Sequence, residues 1–155
     1  MQKTDVSHAL ENVGRLPFDQ IHKEPTREPR FSVKVISCQN KKEYQTILLE
    51  LERPKDFFFR AGQYLWLVLP QRSLEKNVID RRAYSIASGT QKSSLEIVIR
   101  VTESGYVRDI HKLKAGDTVE IIGPFGSVFV PPIEGAVMIS GGTGIAPFLS
   151  ILRSR

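Results

Sequence analysis

An arginine, a tyrosine and a serine lie close together in Asp80-Arg81-Arg82-Ala83-Tyr84-Ser85-Ile86-Ala87-Ser88. Arg82 carries a permanent cationic fork suited to a phosphate or a carboxylate. Tyr84 offers a flat ring for stacking, and Ser85 a small hydroxyl that both donates and accepts. The apolar–polar alternation predicts a strand, which puts Tyr84 and Ile86 on one face and Ala83, Ser85 and Ala87 on the other. The set suits a flat, phosphorylated cofactor. It also suits an edge strand with a solvated arginine pair and a packed tyrosine, and these residues alone leave both readings open.

A second pattern with chemistry in it is Gly141-Gly142-Thr143-Gly144-Ile145-Ala146-Pro147. From Gly142 it has G-x-G-x-x-G spacing with proline in the last place. Glycines admit a pyrophosphate close to the backbone, and the N–H groups opening the next helix point at it. Pro147 suits a first helical turn, where a missing N–H costs nothing. The plain alternative is a tight turn. Arg100 ends a predicted strand, and Gly105 precedes a predicted helix start at Tyr106–Val107, a further place for negative charge. Arg108, in that first turn, either adds a charged contact or is merely solvated. Gly123-Pro124-Phe125-Gly126 is read as a turn between strands. His8, His22 and His111 show no metal spacing, and the single Cys38 cannot by itself supply a zinc site. Cys38 is read as a small, part-buried residue.

Holding such groups in place needs a stiff frame. Strand patterns run through Phe31–Ile36, Tyr44–Leu51, Tyr64–Leu69, residues 82–87, Leu95–Val101 and Thr118–Ile122, with a short one at Val128–Val130. Residues 71–80 read as a polar loop. Phe57 to Gln63 forms an aromatic-rich turn in which Gly62 supplies an unusual backbone angle. Val107, Ile110 and Leu113 have helical spacing. Short strands with turn signals between them predict a closed or nearly closed antiparallel barrel. After it, Ala136–Ser140 reads as a fully buried parallel strand and Phe148–Leu152 as helix. Strand, glycine turn and helix open a nucleotide-binding α/β domain. Before the barrel, Ser7 caps a short helix through Val13, and Pro17, Pro25 and Pro29 mark an extended tail or linker.

The 155 residues suffice for one domain or one domain plus a fragment. With 41% hydrophobic and 25% charged residues, the composition is that of a soluble globular protein. The net charge of +5 comes from scattered basic residues, which argues against a nucleic-acid partner, since those use clustered charge. No apolar run approaches the roughly 20 residues of a membrane span, and residues 1–21 show no secretory apolar core. One cysteine points to a reducing compartment, the cytoplasm.

In their order and separations, Arg82-Ala83-Tyr84-Ser85, Arg100 with Gly105, Gly123-Pro124-Phe125-Gly126 and Gly141 to Pro147 resemble the ferredoxin-NADP(H) reductase superfamily. The resemblance covers residues 31–155 and leaves residues 1–30 as a tail. It implies a mainly β fold, a six-stranded antiparallel Greek-key barrel with one short helix, over residues 31–134. The first β-α unit of an NAD(P)-binding domain would follow over residues 135–155. The barrel would bind FAD, with FMN a lesser alternative, and NADH or NADPH would be the substrate. Electrons would pass to a redox protein such as ferredoxin or to an iron–sulfur or haem domain; the alternative is a non-catalytic flavin- or nucleotide-binding subunit of a larger complex.

Carried over residue by residue, the resemblance puts Arg82 on the flavin pyrophosphate and Tyr84 against the ring and ribityl chain. Ser85 would stand near the hydride-accepting flavin N5. Arg100 and the backbone after Gly105, at Tyr106 and Val107, would help hold the pyrophosphate. Gly141, Gly142, Thr143, Gly144 and Pro147 would receive the nicotinamide nucleotide, with Thr143 facing the flavin. Tyr84, Ser85 and Thr143 would thus be the residues nearest the chemistry. The family often has a serine where this chain has Arg108; either the backbone N–H alone does that work, or the Arg108 guanidinium replaces the hydroxyl as a phosphate contact, and the second is the working expectation. In the family the second domain runs on for about another 100 residues. The expectation is therefore a truncated or split protein, completed by a second chain or by the rest of the α/β domain.

Overall fold

The structure, a computed structural model, describes residues 28–71, 80–126 and 137–154. The expected helix from Ser7 to Val13, the linker at Pro17 and Pro25, most of the 71–80 loop and the strand Val128–Val130 lie outside the described residues.

Six strands make the frame: β1 (Arg30–Lys41), β2 (Thr46–Glu52), β3 (Tyr64–Val68), β4 (Arg81–Ser85), β5 (Ser94–Arg100) and β6 (Thr118–Phe125). They pair antiparallel in the order β4-β3-β6-β1-β2-β5. Just past β4, Ile86 bridges to Ile97 of β5, and the Ala87 N–H donates to the Glu96 carbonyl at 2.7 Å. The two ends of the sheet therefore meet, and the barrel closes, leaving no long open edge.

Alternation explains the interior. Ile47, Leu49 and Leu51 of β2 face inward, as do Leu65 and Leu67 of β3 and Leu95, Ile97 and Ile99 of β5. Each such side chain contributes about 1.5–3 kcal/mol by leaving water. Phe57, fully buried, packs edge-on to Phe31 at 5.5 Å, and Gly62 has the left-handed backbone (φ +94°) that the turn after these aromatics requires.

Two helices bear on the site. The first, α1 (Gly105–Ile110), is capped by Ser104, whose Oγ accepts from the Val107 N–H at 3.3 Å. It buries Tyr106, Val107 and Ile110, starting before and ending short of the predicted Val107–Leu113 span. The second, α2 (Ala146–Arg153), follows a 3₁₀ turn at Gly142–Ile145.

Three expectations are corrected. β2 begins at Thr46, not Tyr44, because Lys42–Tyr44 forms a 3₁₀ turn and Gln45 adopts a left-handed φ of +50° to reverse the chain. Gly123-Pro124-Phe125 is not a turn but the end of β6, where Phe125 still pairs with Tyr64. A register irregularity between Tyr64 and Trp66, opposite Gly123 at φ +140°, lets the strand bend and keep pairing. Residues 137–140 form no strand, and Val137 and Ile139 are 83% and 87% exposed. A parallel strand is buried only between neighbours, and none of the described strands pairs with this segment.

Candidate functional site

β4 enters the site from Asp80, a carboxylate 6% exposed. Asp80 holds the Arg82 guanidinium at 3.1 Å. The same Nη1 donates to the Arg81 carbonyl at 3.0 Å, and the guanidinium lies 5.2 Å above the Tyr106 ring. Tyr106 is fixed in turn, since its hydroxyl donates to the Leu67 carbonyl at 2.5 Å. Arg82 is thus oriented by an ion pair, a carbonyl and a ring, while its side chain stays 55% exposed. The cation is held in place yet open to a ligand.

Beside it opens a cleft of about 320 Å³. Arg82, Ala83 and Tyr84 of β4 line one side, and Val98, Ile99 and Arg100 of β5 another. Thr102 and Ser104 close it from the segment leading into α1, Tyr106 and Val107 from α1 itself, and Thr143 reaches it from the glycine turn. Two arginines, Arg82 and Arg100, line this space and none of its described lining residues is a carboxylate, so the cleft favours an anion. Burial pushes the Tyr84 phenol up to about 12, against a smaller opposing pull from Arg82. At neutral pH it is a neutral donor with a flat ring.

The expected residues divide into two groups. Arg82, Tyr84, Arg100, Tyr106, Val107 and Thr143 come together around the cleft. Ser85, the last residue of β4, is not among its lining; it pairs with Tyr64 on β3. Gly105 and Arg108 also lie outside the lining, and Arg108 is exposed on α1. Gly141, Gly142, Gly144 and Pro147 stand beyond it as well. A Cβ at any of those three glycines would meet nothing within 4 Å, so they leave a bare, open surface next to Thr143. Only Gly142, at φ +54°, needs glycine for its backbone.

Ser104 was not singled out from the sequence, although a serine directly before a helical stretch is a cap signal. Val98 and Thr102 carried no such signal. Cys38 is half-buried, its thiol pushed up by burial and 3.4 Å from the Ile110 carbonyl. That makes it a packing residue.

Residues 33–129 match the family described as the oxidoreductase FAD-binding domain. The chain belongs to this family. It is 37% identical over 117 residues to the reductase subunit of an aromatic O-demethylase from Amycolatopsis, covering 70% of this chain and 33% of that protein. It is 33% identical over 134 residues to reductase component 1 of a terephthalate 1,2-dioxygenase from Comamonas, covering 83% and 38%. Its fold matches that of a ferredoxin-NADP⁺ reductase from Neisseria gonorrhoeae with bound FAD and NADP, at a TM-score of 0.66 and 24% identity over 83% of this chain and 52% of that one. The chain therefore spans about a third of the length of the curated relatives it matches.

The residues present fit the family's flavin. Its pyrophosphate is anionic and matches a cleft with two guanidinium groups, and its ring needs a flat neutral neighbour such as Tyr84. Among the described residues no helix is long and apolar enough to cross a membrane.

Proposed function

We propose that this chain is the flavin-binding part of an NAD(P)H-dependent reductase that passes electrons between a nicotinamide nucleotide and an iron–sulfur or haem partner. What supports this most is the meeting, in one cleft, of Arg82, Tyr84 and Arg100 from the barrel with Thr143 from the glycine turn. Residues 31–134 would be the flavin module, and residues 135–155 the opening of the nucleotide module.

Arg82 and Arg100 would hold the flavin pyrophosphate, helped by the Ser104 hydroxyl and the backbone after Gly105. Tyr84 would lie against the ring and keep water from it. Ser85, next along β4, would supply a hydroxyl for the hydride-accepting edge. Thr143 would face the flavin, and the bare surface of Gly141, Gly142 and Gly144 would admit the nicotinamide nucleotide, with Pro147 opening the helix behind it. When bound, FAD supplies acceptance of two electrons from a nicotinamide and their release one at a time. The names of the relatives, one a demethylase's reductase subunit and one a dioxygenase's reductase component, support an oxygenase or its iron–sulfur carrier as acceptor. The single free cysteine supports a reducing cytoplasm as the place of work.

The test is colour and its loss. Added FAD is expected to bind and quench, giving a yellow protein, and anaerobic NADH or NADPH then bleaches it. A chain that takes up no FAD overturns the reading. A second reading, a flavin-binding subunit that only docks in a larger complex, is favoured by the exposed, unpaired Val137 and Ile139. Bound FAD that neither nicotinamide bleaches, even in a chain carrying a complete nucleotide module, would decide for it.

A further inference from the structure

Helix α2 is fastened to the barrel along one seam, and the seam is polar. The Ser150 hydroxyl, fully buried, donates to the Ser88 carbonyl at 2.8 Å. The Thr90 N–H donates to the Ser154 hydroxyl at 2.9 Å, and that hydroxyl donates to the Ser150 carbonyl at 2.7 Å. The Arg153 guanidinium donates to the Ala87 carbonyl at 3.1 Å and to the Glu96 carboxylate at 2.7 Å. The Gln91 amide donates to the Arg153 carbonyl. Meanwhile Ile145 and Leu152 remain 43% and 54% exposed. The helix is held by directional bonds, which set a register as non-directional apolar contact does not.

Gly89 shows how close the approach is. A Cβ there would stand 2.5 Å from the Arg153 carbonyl oxygen. Gly89 is not among the glycines with positive φ, so its missing side chain answers to space and not to backbone conformation. The segment from Ile86 to Gly89 continues β4, the strand that carries Arg82 and Tyr84. At the other end of α2, the Ala146 N–H donates to the Thr143 carbonyl, and Thr143 lines the cleft. Helix α2 and the 3₁₀ turn that runs into it thus join the seam to Thr143, ten residues before Arg153.

We propose that Gly89 and Arg153 are positioning residues, which set where Thr143 stands over the flavin cradle and so the register of nicotinamide against flavin. The inference rests on the proposed flavin cradle and deepens it. Alanine at 89 forces the Arg153 carbonyl outward, and loss of the Arg153 guanidinium frees the same end of the helix.

The test uses the FAD-loaded protein with bimane on Thr143→Cys in a Cys38→Ser background, where Tyr84 and the flavin quench the label. In Gly89→Ala and in Arg153→Met, emission is expected to rise about threefold, and in the same variants without the label, with Thr143 in place, bleaching by NADH or NADPH is expected to slow about 10- to 100-fold, as displacements near 1 Å do. FAD affinity is expected to stay within about twofold, because Arg82, Tyr84 and Arg100 are untouched. Arg30→Gln, which breaks the surface pair with Glu120, is the control for general loosening and moves neither readout. Unchanged emission in both seam variants, or an equal rise in Arg30→Gln, overturns the proposal. If emission rises as expected but nicotinamide never bleaches the parent flavin, the proposed activity falls and the positioning of Thr143 stands.

Discussion

Arg82 is oriented before any ligand arrives, by Asp80, the Arg81 carbonyl and the Tyr106 ring. A charge-assisted bond from such a group contributes about 1.5–3 kcal/mol. Arg82→Ala is therefore expected to weaken FAD binding by about 10- to 100-fold, measured by flavin fluorescence quenching. Arg108→Ala, on a residue outside the cleft, is expected to change affinity by less than about threefold, within the range of ordinary surface substitutions. A loss in Arg108→Ala with none in Arg82→Ala would show that the phosphate sits on α1 and not over β4. Tyr84 gives a second check. Its phenol is pushed up to about 12 by burial, against about 10 for a free tyrosine. The native state therefore holds this proton more tightly than the unfolded chain. The resulting stabilisation is complete below the free value and is lost as pH rises from there through the folded value. An alkaline titration of phenolate absorbance should show a late step that Tyr84→Phe removes.

At the scale of elements, β5 and α1 carry half of the cleft between them. Ser104 joins the two roles, capping α1 through the Val107 N–H and lining the cleft. Ser104→Ala is expected to cost about 1 kcal/mol, seen as a fall of about 2–4 °C in melting temperature. A fall in the apo protein that added FAD does not offset would separate the cap from any contact with ligand. The strands were legible because Ile47, Leu49 and Leu51, or Leu95, Ile97 and Ile99, alternate with period two. Their ends were not. Gln45 takes a left-handed turn that its residue type does not announce, and Gly123-Pro124 looks like a turn but stays paired because β3 bends with it. Residues 137–140 have the pattern of a buried strand without a partner strand beside them among the described residues.

At the scale of the molecule, a polar network ties β2 to β5 and to the turn that leads into it. Glu50 accepts from Ser94 and Lys92, and these bonds hold its carboxyl below the usual range. Lys92 also reaches Glu96, and its own ammonium is pushed up by these carboxylates despite the opposing effect of burial. A carboxylate with a lowered folded value stabilises the native state above its unfolded value and loses that contribution as pH falls through the folded one. Stability is thus expected to drop below about pH 4.3, and Glu50→Gln should flatten this part of an acid denaturation profile. A profile unchanged in the variant would mean that other carboxylates govern acid unfolding. The sequence by itself determined the barrel, since inward side chains at period two can be satisfied only by a closed or covered sheet. It also determined the residue types of the cradle, because a fork, a ring and a glycine turn are chemical identities. Only the tertiary structure decided which of them share a cleft. Arg82, Tyr84, Arg100 and Thr143 are brought together by closure of β4 against β5 and by the seating of α2, while Ser85, at the end of β4 and one residue from Tyr84, lies outside the lining.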